Sequence, residues 1–311
     1  MNLKLRNGFV TALVPVILII AGIAGWVFFS NTSKNTASIP SYSPTPIPGI
    51  SQVSSTEAIK KSINNAKSLE EVRTSVQTFL TDYNLKLRFT NIPPDPYTTF
   101  SNLEEVDLAQ TKKFALLFID EWKKYPIDWV DNSNLEIIAF VKTLYVDGNY
   151  RAAVPITNPK GVYYDSNLLS SYINSPENLY YSNEVIHHEY YHLIEYSYFG
   201  DFYNSDNIWS SFNNPDFKYI SAGKDAYASS DYQHQAHPSE GFVSTYSRYA
   251  LEEDKAEIYA YIMVTEDYRN ILEWVESDPI LLKKVNYMKN FMQSHSSSMD
   301  DNFFRRVNNI N

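Results

Sequence analysis

His188-Glu189-Tyr190-Tyr191-His192 decides how the rest of the chain is read. A helix completes a turn every 3.6 residues, so the two histidines leave one face and can share a metal ion. Glu189 stands beside the first of them. A carboxylate there can take a proton from a water whose pKa zinc lowers towards about 7. So short a pattern carries weight only inside a helix. Ser175, Pro176 and Glu177 supply an N-cap, a proline at the first helical position and an acid in the first turn. Gly200 supplies the residue that follows a helix end. These flanks predict a helix over about 176–199, with the motif in its middle.

Two histidines leave the coordination incomplete. The metzincin pattern requires Gly and His three and six residues past the second histidine. Those positions hold Glu195 and Tyr198, which excludes that class. A carboxylate from a later helix is the other route. Leu251–Ile262 reads as such a helix and places Glu253 and Glu257 one turn apart on one face. Either acid can bind the metal while the other hydrogen-bonds the free ring nitrogen of a ligand histidine. The helix dipole favours acids in a first turn, which accounts for Glu252 and Asp254. It accounts less well for two acids at ligand spacing.

The histidine pair with a glutamate on a later helix resembles the gluzincin metallopeptidases. Thr245-Tyr246-Ser247-Arg248, followed by Glu252-Glu253-x-x-Ala256-Glu257, is similar to the catalytic core of anthrax lethal factor and related zinc metallopeptidases. Gly241-Phe242-Val243-Ser244-Thr245-Tyr246 resembles a block found in secreted bacterial zinc-binding metallopeptidases. The resemblance spans about Ser175–Met263. It implies an α+β zincin-like metallopeptidase domain, with a small sheet and a mostly helical C-terminal half. It implies one Zn2+ held by His188, His192 and Glu253, with Glu257 holding a ligand histidine. Tyr246 would support the developing oxyanion and Glu189 would act as general base on a protein or peptide substrate. A zinc exopeptidase, another zinc hydrolase and an inactive binding module on the same scaffold are the alternatives. Retention of Glu189 speaks against the last, which has no physical need for it.

Other histidines read differently. His187 points about a third of a turn off the motif face and reads as surface, or as support for a ligand. His234 and His237 read as loop residues, and His295 falls in a Ser-rich tail. Trp209 and Asn213 read as packing for a long loop beneath the site.

Further out, Phe9–Phe29 is a run of 21 residues without a charge, long enough at about 1.5 Å per residue to span a hydrocarbon core of roughly 30 Å. Lys4 and Arg6 precede it, so the positive-inside rule keeps residues 1–8 in the cytoplasm and sends the rest outside. The expected order is a transmembrane anchor over 9–29, a Ser/Pro-rich linker over 30–55 and the peptidase domain over 56–311. Cleavage of the apolar segment would instead give a secreted protein. Within the domain, helices are expected at 56–66, 69–82 and 101–125, the last opened by a Ser101/Glu104 capping box. A strand is expected at 85–90, and a hairpin joins 136–146 to 150–155 through Asp147-Gly148. Val162–Asp165 is expected as an edge strand for an extended substrate. A net charge of −10 argues against a nucleic-acid partner, and the absence of cysteine excludes disulfides and thiolate zinc sites.

Overall fold

The computed structural model describes residues 49–173, 175, 180–203, 206–226 and 234–310. The apolar segment 9–29 and the linker up to 48 lie outside them. Among the described residues no helix is long and apolar enough to cross a membrane. The chain enters through α1 (Gly49–Asn65), so helix rather than extended linker occupies 49–55. Beyond Pro48 no proline follows until Pro93, and nothing denies the backbone the N–H groups a helix needs. Next is α2 (Leu69–Thr81), where the Ser68 hydroxyl accepts the Glu71 N–H and Leu69, Val72, Val76, Phe79 and Leu80 form the buried face.

Two short strands follow, β1 (Lys86–Arg88) and β2 (Thr98–Ser101). The capping box expected at Ser101/Glu104 does not open the next helix, because Ser101 ends β2 and pairs with Lys142. Asp107 accepts the Glu104 N–H at 2.8 Å instead, and α3 (Leu108–Trp122) starts after a 3-10 turn. A short helix, α4 (Ile127–Asn132), leads into β3 (Ile137–Val146), whose first five residues are buried, as a central strand requires.

The expected hairpin is cut short. Beyond Asp147-Gly148, only β4 (Asn149–Tyr150) pairs back onto β3. The chain then leaves, and β5 (Ala153–Thr157) pairs antiparallel with β6 (Lys160–Asp165). Strand order is β1-β3-β6-β5, with β1, β3 and β6 parallel, while β2 and β4 pair with the C-terminal part of β3. Val162–Asp165 is therefore an inner strand, not the expected edge. Its run Val162, Tyr163 and Tyr164 is wholly buried, which suits a strand covered on both faces. The edge is β5. Asp165 N–H donates to Ala152 C=O at 2.8 Å, so ladder alternation turns the main-chain groups of Ala153, Pro155 and Thr157 outward. Pro155 thus sits where its missing N–H leaves no ladder bond unmade.

Among the described residues the regular structure of the remainder is mostly helical. It runs through α5 (Ser166–Tyr172), α6 (Tyr181–Phe199), α7 (Asn207–Phe212) and the single turn α8 (Gly223–Ala226). A two-stranded ribbon follows, β7 (Ala236–Ser239) with β8 (Phe242–Ser244). The chain closes with α9 (Leu251–Met263), α10 (Thr265–Trp274), α11 (Pro279–His295) and α12 (Asp301–Val307). His295 thus ends a helix rather than sitting in a tail. The motif helix α6 starts at Tyr181, after Tyr180 takes a left-handed φ of 70°; the start expected at 176–177 lies outside the described residues. It ends as expected at Gly200, left-handed at φ 76°.

The architecture is α+β. Ile138, Phe140, Val162 and Tyr164 point into the main core, and their neighbours Ile137, Ala139, Val141 and Tyr163 into a smaller one. Aromatic rings join the sheet to the motif helix. Phe118 meets Phe140 at 5.2 Å between centroids, and Trp122 meets Tyr190 of α6 at 5.0 Å. The sheet's edge strand β5 also packs on α6, and α9 lies along α6 with Glu253 through Met263 all buried. Trp122 is fully buried at the joint between these layers. Trp122→Ala is expected to cost about 3–5 kcal/mol of stability, read as a lowered midpoint in urea unfolding.

Candidate metal centre

One turn of α6 and one turn of α9 face each other at the site. His188 and His192 share a face of α6, with Nε2 atoms 3.1 Å apart. Glu253, in the first turn of α9, brings Oε2 to 3.0 Å from His188 Nε2 and 3.3 Å from His192 Nε2. One turn later Glu257 meets the other side of the same ring, its Oε1 2.9 Å from His188 Nδ1. The two acids left open as ligands by spacing alone thus take different places. Glu253 completes a three-donor group with the two Nε2 atoms, and Glu257 lies behind His188.

Further side chains fix these groups. Ser244, at the end of β8, donates its hydroxyl to Glu257 Oε2 at 2.6 Å. The Tyr246 hydroxyl donates to Glu253 Oε1 at 2.9 Å, so that tyrosine is brought to the group and engaged with its carboxylate. Glu257 stands where it can accept a hydrogen bond from His188 Nδ1–H, which with a metal bound would leave the Nε2 lone pair for the ion. Glu189 lies half-buried beside both histidines. Burial raises the pKa of its carboxyl, the His188 and His192 charges oppose this, and Glu253 adds to it.

The donor chemistry fits a divalent metal. Zinc takes nitrogen at 2.0–2.1 Å and carboxylate oxygen at 2.0–2.2 Å, and a tetrahedron of that size has edges of roughly 3.3–3.5 Å. The observed separations of 3.0, 3.1 and 3.3 Å approach it. The electrostatics agree. Burial opposes charge on His188, yet its hydrogen bonds to Glu253 and Glu257 outweigh this and raise its pKa well above the ordinary imidazole value. Burial likewise opposes ionisation of Glu253, and contacts with His188 and His192 bring its pKa far below the usual carboxylate range. Three carboxylates, Glu189, Glu253 and Glu257, around two imidazoles make a site that attracts positive charge.

His187 belongs elsewhere. It is fully buried on the core side of α6, with Nε2 2.9 Å from Glu121 and Nδ1 at the Tyr125 hydroxyl. Burial lowers its pKa. Burial also pushes the Glu121 carboxyl up, but Lys124 and His187 hold it at about 2. His237 stacks on Trp274 at 4.8 Å, and His295 caps α11 through Phe291 C=O. Neither joins the site. Trp209 is buried as expected, and its Nε1 donates to Asp254. Sequence reading gave no role to Ser244, although it lies within the block quoted around Tyr246. It also missed the partners of the residues flanking Glu253: Lys284 with Asp254 at 2.7 Å, and Glu195 with Lys255. Such pairs join residues thirty or sixty positions apart and leave no local signal.

The two acids should separate experimentally. Glu253→Gln should leave the protein largely metal-free at limiting zinc. Glu257→Gln should keep zinc with affinity reduced about 10–100-fold, the usual cost of losing a ligand's hydrogen-bond partner. Zinc dissociation constants from chelator competition decide it, and a larger loss in Glu257→Gln would exchange the two roles.

No family model and no curated protein sequence matches the chain. A solved structure of a "putative zinc-binding metallo-peptidase" from Bacteroides caccae aligns with 85% of this chain and 95% of its own, at 17% identity and a TM-score of 0.45. At that score the reading of the site rests on its own side chains.

Proposed function

We propose that this protein is a zinc-dependent peptidase of gluzincin type, with a zincin-like domain. His188, His192 and Glu253 hold the ion, and Glu189 is the general base. The convergence of His188 Nε2, His192 Nε2 and Glu253 Oε2 to within 3.3 Å on two packed helices carries this reading. Three protein donors with a fourth position left for water or substrate mark a catalytic rather than a structural zinc. When bound, zinc polarises a water and the scissile carbonyl.

The chain's own groups supply the rest. Glu257 holds His188 in the tautomer that presents Nε2. Glu189 receives the proton of the attacking water and passes it to the departing amine nitrogen. The upward push on its pKa from burial suits that exchange near neutral pH. The Tyr246 hydroxyl, now on Glu253 Oε1, can turn to donate to the negative charge that develops on the carbonyl oxygen. An extended substrate would add to β5, whose outward groups at Ala153, Pro155 C=O and Thr157 offer a strand edge lying on α6. Pro155 leaves one donor out of that edge, so the substrate's pairing is interrupted there.

Glu189→Gln keeps the shape and cannot accept a proton. It should bind zinc with unchanged stoichiometry and lose nearly all hydrolysis of a denatured protein substrate. Turnover near that of the parent enzyme would remove Glu189 as the base.

The apolar run 9–29 supports a single-pass membrane anchor with residues 1–8 in the cytoplasm and the peptidase outside. Protease added to intact cells should then digest the catalytic domain. Complete protection until lysis would reverse the orientation.

A further inference from the structure

Glu253 touches more than the two imidazoles and Tyr246. The main chain at Gly223, the first residue of α8, abuts its carboxylate. A Cβ built on Gly223 would lie 1.8 Å from Glu253 Oε1, 2.5 Å from Cδ and 2.6 Å from Cγ. The backbone there is not left-handed, so the position uses glycine for close approach rather than for conformational freedom. The segment cannot simply back away. Ile220 N–H donates to Arg248 C=O at 3.1 Å and Ser221 N–H to Tyr249 C=O at 3.0 Å, which ties it to the turn carrying Tyr246. Glu253 is equally constrained on its far side by His188 Nε2 and His192 Nε2.

We propose that Gly223 is a positioning residue of the metal centre: its bare Cα forms the wall that sets Glu253 against the two histidines. The inference rests on the reading of Glu253 as a metal ligand. Any side chain at 223 would force the carboxylate and the main chain apart by about 1.5 Å to reach ordinary contact distance. Ligand distances in a zinc site tolerate about 0.2 Å. The displacement therefore falls on metal affinity, although residue 223 offers no ligand atom itself.

The test uses the purified full-length chain in detergent. Zinc dissociation constants are measured by chelator competition, alongside thermal unfolding of the metal-free protein. Gly223→Ala should weaken zinc binding about tenfold or more, comparable to losing a ligand's supporting contact, and should lower the unfolding midpoint of the metal-free protein by an amount that Glu253→Ala relieves. In a Glu253→Ala background the same substitution should change zinc affinity no further, because the group it displaces is gone. Parent-like affinity in Gly223→Ala, or an equal additional loss in the Glu253→Ala background, would overturn the proposal. If Gly223→Ala fails to fold, the double variant decides. Folding restored by Glu253→Ala places the clash where proposed, and failure of both variants overturns it. A parent protein that binds no zinc would sink the peptidase reading instead. The unfolding of metal-free Gly223→Ala against the double variant would still report whether residue 223 presses on Glu253.

Discussion

Three atoms with lone pairs are held within 3.3 Å of one another at His188, His192 and Glu253. In water such groups would each be solvated separately. Holding them together requires that their backbones cannot move apart. The fold meets that need by setting two helices side by side and burying both. Eleven residues of α6 and eleven of α9 are buried, so neither helix has the solvent face that would let it slide or roll. The aromatic joint through Trp122 and Tyr190 fixes α6 to α3 and the sheet, and α6 is then the reference against which α9 is placed.

Placement of α9 depends on the residues on either side of Glu253. Asp254 takes Lys284 of α11, the Trp209 indole and the Tyr219 hydroxyl. Lys255 takes Glu195 of α6. All four charged residues in these two pairs are buried. Such pairs add little net stability, since desolvation offsets much of the attraction, but an unmatched partner is costly. Burial accordingly pushes the Asp254 pKa up and that of Lys284 down, while the contact between them opposes both shifts. Their consequence is register. A rotation of α9 that carried Glu253 away from the histidines would strand Asp254 and Lys255 without partners. The ligand's position is thus secured by neighbours that never touch the metal group.

The sequence disclosed the parts of this arrangement that repeat at helical spacing. His188 and His192 on one face, Glu253 and Glu257 one turn apart, and the glycine ending α6 were all legible, because a single helix fixes each relation. Which acid completes the donor group was not settled by spacing. That depends on how α9 meets α6, a relation between elements rather than within one. The same limit explains the sheet. Asp147-Gly148 correctly marked a turn, but only Asn149–Tyr150 returns to β3, and Ala153–Thr157, expected in the same hairpin, pairs with β6. The buried run Val162–Tyr164 carried the missing information, since continuous burial belongs to an inner strand, and Pro155 marked the true edge.

His187 and His188 show how little the residue type alone determines. They are adjacent in one helix and both are buried, yet they point into different surroundings. On the core side, His187 meets Glu121, whose charge is already matched by Lys124, and the Tyr125 hydroxyl; burial disfavours charge on the ring and both nitrogens have partners. On the other side, His188 meets Glu253 and Glu257, which among the described residues make no ion pair with a lysine or arginine. The first ring fills a core, and the second lies in a field that draws in a cation. The difference is made by the acids that face each ring and by whether a lysine reaches them first. A histidine becomes a metal-ligand candidate when its carboxylate partners bring more negative charge than the protein itself neutralises.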